Sequence, residues 1–174
     1  MRTQKFTILI ALLLAMTAVT AVRAQDETFS APNVDYSFTL PDAKWKLTVK
    51  PSDTVPNVEY VYGDRVDGHL EVRKLSARKD QLTSEVIQDE EQKLQFLPGY
   101  IAGKEENFAG RFRGVIFNYE YVRAGRPMSG RMYFLRINDT AIYVIRFSGL
   151  KDKLRSIQNQ TDSIARTFNV KQAG

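Results

Sequence analysis

The chain has 174 residues, 25 of them lysine or arginine and 20 aspartate or glutamate, with one histidine and no cysteine. Without cysteine there is no disulfide framework, thiol catalysis, thiolate metal site or lipid-bearing cysteine, so a folded domain must be held by its apolar core, for which this length is ample. The formal charge of +5 is no nucleic-acid signature: Arg2, Lys5 and Arg23 lie in the first 24 residues, leaving 22 basic against 20 acidic residues in the rest.

The chain opens with a short basic stretch, "MRTQK", followed by the apolar run "FTILIALLLAMTAV". Small residues at Val22 and Ala24 then precede Gln25. This is the layout of a secretory signal over residues 1–24, and its apolar run is shorter than the ~20 residues a spanning helix needs. The expectation is an exported protein, periplasmic or secreted, with no stable membrane insertion after cleavage. Residues 25–32 read as a flexible lead-in, and 33–170 as a single domain without repeats or linkers.

Within that domain "YSFTL" alternates, placing Tyr36, Phe38 and Leu40 on one face, and Pro41 ends the strand because it cannot donate to a sheet ladder. "WKLTV" alternates again from Trp45, the one tryptophan, which plugs the end of a core. "VEYVY" and "HLEVRKL" flank "GDRVDG" as a hairpin with a six-residue loop. From Asp80 the period changes: Leu82, Val86, Leu94 and Leu97 recur at helical spacing, with Asp80 or Thr83 as cap and "PG" at 98–99 as stop. "YIAGKEENFAG" reads as a lead-in to three antiparallel strands, "RFRGVIFNYEYVR", "RMYFLRI" and "AIYVIRF", with "AGRPMSG" as the first tip. Apolar residues on both faces of this meander predict a sheet covered on both sides. Last, Leu150, Leu154, Ile157, Thr161, Ile164 and Phe168 step by four and three, predicting one amphipathic helix with Ser148 as its cap.

The "YSFTLP…W" opening, the hairpin, helix, meander and closing "SIARTF" together resemble the PsbP-like fold family, to which DcrB-type bacterial exported proteins belong. The likeness spans roughly residues 33–170. It implies an α+β fold, an antiparallel sheet packed between helices as an α/β/α sandwich, and roles in binding or assembly rather than catalysis. It transfers no functional residue, since its landmarks belong to the fold.

Chemistry-bearing residues are sparse. His69 stands alone, without a G-x-S-x-G elbow or a second ligand, so neither a hydrolase triad nor a histidine-based zinc site is legible. "GDRVDGHLE" gathers Asp64, Asp67 and His69, a weak oxygen-rich candidate for a divalent cation whose spacing departs from a calcium loop. "DEEQ" at 89–92 reads as the polar face of a helix, and "NDT" at 138–140 as a turn matching a glycosylation acceptor. The densest feature is basic and aromatic: Arg111, Arg113, Tyr119, Tyr121, Arg123, Arg126 and Arg131 on and around one hairpin, a combination suited to an anionic or protein surface. The sequence therefore predicts a monomeric, non-catalytic accessory or binding module of the bacterial cell envelope. It would contact an envelope protein or anionic ligand through an arginine-tipped hairpin and need no cofactor or nucleic acid. The alternative is a small-ligand or divalent-metal carrier.

Overall fold

Strict two-residue alternation in the long central strands decides the architecture. A computed structural model describes residues 26–171; the predicted leader lies outside them. The described residues form ten strands and three helices: β1 (Glu27–Ser30), β2 (Tyr36–Leu40), β3 (Trp45–Val49), β4 (Val58–Tyr62), β5 (His69–Ser76), α1 (Thr83–Leu94), β6 (Ile101–Ala109), β7 (Arg113–Arg123), β8 (Arg126–Arg136), β9 (Ala141–Leu150), α2 (Lys151–Ser156), α3 (Gln158–Thr167) and β10 (Asn169–Val170). Seven of the strands make one antiparallel sheet in the order β3-β4-β5-β9-β8-β7-β6, and β1-β2-β10 make a small second sheet.

Even-numbered residues of β8 and β9 (Met128, Met132, Phe134, Ile142, Val144) face Val86, Ile87 and Leu94 of α1. Their odd-numbered neighbours (Tyr133, Leu135, Tyr143, Ile145, Phe147) face Leu154, Ile157 and Ile164 from α2 and α3, together with Tyr36, Phe38 and Leu40 of the small sheet. The large sheet is thus covered on both sides, as its composition predicts, and the protein is an α+β sandwich built on an antiparallel sheet. Trp45 is buried in the second core, and its Nε1–H donates to Gln160 Oε1 at 2.9 Å. The predicted hairpin of residues 58–62 and 69–75 forms with its six-residue loop, residues 63–68, and its second strand runs on to Ser76.

Six local expectations need correction, each for a physical reason. Residues 27–30, read as lead-in, pair with β2 and bury Phe29, an isolated apolar residue too short a signal to declare a strand. Residues 101–109 form the edge strand β6; nearly all its side chains are exposed, so no alternation marks it. Neither Asp80 nor Thr83 caps α1: the cap residue is Leu82, whose N–H donates to the Glu85 carboxylate at 2.9 Å. The closing helix is two helices, because Ile157 leaves helical geometry at φ −107°, ψ 14°. Ser148, the expected cap, lies inside β9. Finally, the β7–β8 tip is a two-residue turn, Ala124–Gly125, both with positive φ (50° and 71°), the geometry that best matches strand twist in tight hairpins. The residues read as a long tip, from Arg126 onward, belong to β8.

Candidate functional site

That short turn redistributes the predicted arginines. Arg123 and Arg126 face each other across it and are exposed. Arg113 begins β7, ten residues and roughly 33 Å away along the strand, and Arg111 lies just beyond it. Arg131 is not at the tip at all. It is 8% exposed in mid-strand, with Nε donating to the Tyr133 hydroxyl (2.7 Å), Nη1 to Asn118 Oδ1 (2.9 Å) and Nη2 to Asp162 Oδ1 (3.0 Å). Tyr133 also donates to Asp162. Burial, then the Asp162 carboxylate, push the Tyr133 hydroxyl well above the usual tyrosine range. Arg131 therefore ties α3 to the sheet, a framework role. Tyr119 and Tyr121 are buried on the α1 face rather than presented as an aromatic surface.

The weak cation candidate also separates. His69 Nε2 lies 2.8 Å from Glu59 Oε2, which also takes Arg65 Nη2 at 3.3 Å. Asp64 and Asp67 stand in the loop, where the Asp64 carbonyl accepts the Asp67 N–H at 2.9 Å. Among the described residues, no group of three or more aspartates, glutamates or histidines converges as a metal site.

What the fold does bring together is a groove of about 520 Å³ on the α1 face of the sheet, at its hairpin end. One wall comes from the 63–68 loop and β5 (Arg65, His69, Glu71), the other from the turn after α1 and the hairpin (Leu97, Pro98, Val122, Arg123), and Arg146 and Ser148 of β9 lie at its base. Thus His69 and Arg123, from two separate sequence candidates, line the same depression. The second wall is fixed by the Val122 N–H donating to the Pro98 carbonyl at 2.7 Å.

The charges inside are unequally satisfied. Glu59 is engaged by Arg65 and His69, and Glu71 lies 3.5 Å from Arg73. Arg146 spends its Nε–H on the Tyr119 hydroxyl at 2.9 Å, with its guanidinium 5.8 Å from that ring's centre. Its terminal nitrogens hydrogen-bond no other described residue, and no carboxylate lies within ion-pair distance. Burial pushes the Tyr119 hydroxyl above the tyrosine range despite the opposing pull of that guanidinium. The arrangement can receive an anion through charge-assisted hydrogen bonds.

Sequence reading missed Arg146, Glu59 and Ser148. A signal for Arg146 exists: in "AIYVIRF" it is the lone charge in a strand otherwise built for a core, at the same parity as Ile142 and Val144.

A second depression, about 1350 Å³, lies at the far end of the sheet and includes Asp35, Lys74, Arg111 and Tyr143. Asp35 takes Lys74 Nζ at 2.7 Å and the Tyr143 hydroxyl at 2.5 Å. Partial burial works to raise this carboxyl, but those two hydrogen bonds outweigh it and hold it below the usual carboxylate range.

A seven-stranded antiparallel sheet with α1 on one face and α2, α3 and a small sheet on the other is the PsbP-like fold, which the sequence landmarks predicted. Cyanobacterial PsbP from Synechocystis sp. PCC 6803 superposes with a TM-score of 0.57 at 15% identity, over 90% of this chain and 99% of that one. The Ran-binding protein Mog1p of Saccharomyces cerevisiae gives 0.61 at 12% identity, over 84% and 96%. LpqN of Mycobacterium tuberculosis, involved in cell envelope biogenesis, gives 0.54 at 15%, over 84% and 91%. Likeness at these identities establishes the fold and no more. No family model matches the sequence, and no curated protein matches it. Among the described residues no helix is long and apolar enough to cross a membrane.

Proposed function

We propose that the protein is an exported, non-catalytic accessory module of the cell envelope that binds a protein partner at the hairpin end of its large sheet. The observation carrying this reading is the meeting of Arg123 with Arg65 and Arg146 around one groove, beside exposed Arg126. The predicted leader and the envelope role of LpqN support the location, and the binding role of Mog1p supports the type of activity. Arg131, part of the sequence-level candidate, is assigned to the framework instead.

The test is a photocrosslinking amino acid placed at Arg126 and, as control, at Lys46 on edge strand β3. Crosslinks to one envelope component from position 126, absent from position 46 and lost on Arg123→Glu, are expected. Equal yields from both positions, or yields indifferent to the charge reversal, would remove the hairpin end from consideration. The carrier reading is favoured by one feature, the larger cleft containing Asp35, Lys74 and Arg111. A thermal shift with small anions that disappears on Lys74→Ala would promote it.

A further inference from the structure

Three features compete as sites the binding reading does not yet specify: the far cleft, the exposed edge β6, and the base of the hairpin-end groove. In the far cleft, Asp35 already answers Lys74 and Tyr143. Edge β6 carries Lys104, Glu105 and Glu106, charges of the kind that keep sheet edges from pairing. The groove is different: Glu71, opposite Arg146 on β5, acts on it electrostatically without reaching ion-pair distance, and the terminal guanidinium nitrogens keep unspent donors.

Its two walls also differ in chemistry. Leu97, Pro98 and Met128 make one side apolar, while the other is polar. Arg146 offers terminal guanidinium donors at the base. Ser148, two residues along β9 and on the same face, offers a hydroxyl roughly 7 Å away. Next to Leu97 in the chain, Phe96 is 89% exposed. A cation at the base and an apolar wall beside it fit a peptide carboxylate flanked by an apolar side chain.

We propose that the groove is a peptide-carboxylate site, in which Arg146 and Ser148 hold the carboxylate and the Leu97–Pro98 wall takes the neighbouring apolar side chain. This deepens the binding-module reading and rests on it. The carboxylate comes either from a chain terminus or from an internal acidic side chain, and the probes below separate the two.

The experiment is an NMR titration of the ¹⁵N-labelled protein with three probes: N-acetyl-leucine, N-acetyl-leucinamide, and N-acetyl-Leu-Glu-amide. Shifts of the Arg146 Nε–H and of the Ser148, His69 and Val122 amides are expected with at least one carboxylate probe and not with leucinamide. Preference for N-acetyl-leucine assigns the site to a chain terminus, and preference for the Glu probe to an internal residue. Arg146→Gln should weaken that binding by at least about tenfold. Because Arg146→Gln also removes the partner of Tyr119, Pro98→Glu gives a second reading: a like charge on an exposed wall position should abolish binding in a folded protein. Equal shifts with leucinamide, shifts centred on Asp35 and Lys74, or unchanged binding in both variants would overturn the assignment. If crosslinking from Arg126 persists while these titrations fail, only the carboxylate site is lost and the hairpin-end interface stands.

Discussion

Tyr119 reaches Arg146 across the bare backbone of Gly130: the tyrosine ring on β7 crosses β8 where there is no side chain, and its hydroxyl accepts the Arg146 Nε–H on β9 at 2.9 Å. A β-carbon at Gly130 would overlap Tyr119 Cζ and Cε1. Gly130→Ala therefore has to displace the ring, and overpacking of this kind costs about 1–3 kcal/mol. Tyr119→Phe keeps the packing and leaves a largely enclosed N–H without its acceptor, at about 1–2 kcal/mol. Denaturant unfolding of both variants checks the pair, and a wild-type midpoint for Gly130→Ala would refute the crossing.

The arginines read together in the sequence should separate in the laboratory. Arg131 makes three side-chain hydrogen bonds while nearly buried. Truncating it strands Asp162 and Tyr133, and Arg131→Ala is expected to lose about 2–4 kcal/mol of stability, toward the lower end because Asp162 keeps 27% of its side-chain exposure. Arg126→Ala, on the exposed flank of the turn, should leave the midpoint unchanged. Matching losses for the two variants would mean that the division into framework and surface is mistaken.

Trp45 couples β3 to α3. Its indole N–H bonds Gln160 Oε1 at 2.9 Å, and Gln160 Nε2 in turn reaches the Tyr62 hydroxyl at 3.3 Å. As the one tryptophan, it makes intrinsic fluorescence a reporter of whether α3 is docked. Emission should shift red on urea addition in step with the loss of far-ultraviolet dichroism, the mark of a single cooperative unit. Gln160→Ala should lower the common midpoint by about 1 kcal/mol. A fluorescence transition well ahead of the dichroism would instead make α3 a separately melting element.

The legible parts of the fold were those where a side chain's parity is enforced by burial. In β7, Val115, Phe117, Tyr119 and Tyr121 alternate toward α1 because each displaced register would put an aromatic ring in water. Strand β6 was illegible for the converse reason: with its side chains exposed, nothing selects alternation, and its place depends on partners in β7 that are distant in sequence. The break at Ile157 preserves the apolar stepping through Leu154, Thr161 and Ile164, so periodicity alone cannot detect it. The groove was half legible. His69 and Arg123 stood out as residue types, but their meeting depends on the β5-β9-β8-β7 order, which fixes which strand ends are neighbours. Arg131 was misplaced by five residues of hairpin register, enough to carry it from solvent to the core.

Glu90 supplies an acid-sensitive fastening between α1 and the sheet. The residue is 5% exposed, with Oε2 accepting from Arg73 Nη2 at 2.9 Å and Oε1 from Lys93 Nζ at 2.5 Å. Burial works to raise its carboxyl, but the Lys93 hydrogen bond and the Arg73 guanidinium outweigh it, holding the group below its ordinary value of 4.5. Because the folded pKa is the lower one, the ion contributes stability that is fully present above the unfolded value. That stability disappears as the pH falls through the folded one. Glu90→Gln should cost about 1–3 kcal/mol at neutral pH, since Arg73 then keeps no full charge opposite it at that end. The variant should also lose stability less steeply than wild type as the pH is lowered below 4.5. Unfolding midpoints of the two proteins measured from pH 7 downward should converge in acid, and parallel curves would show that folding leaves the Glu90 carboxyl where it titrates in the unfolded chain.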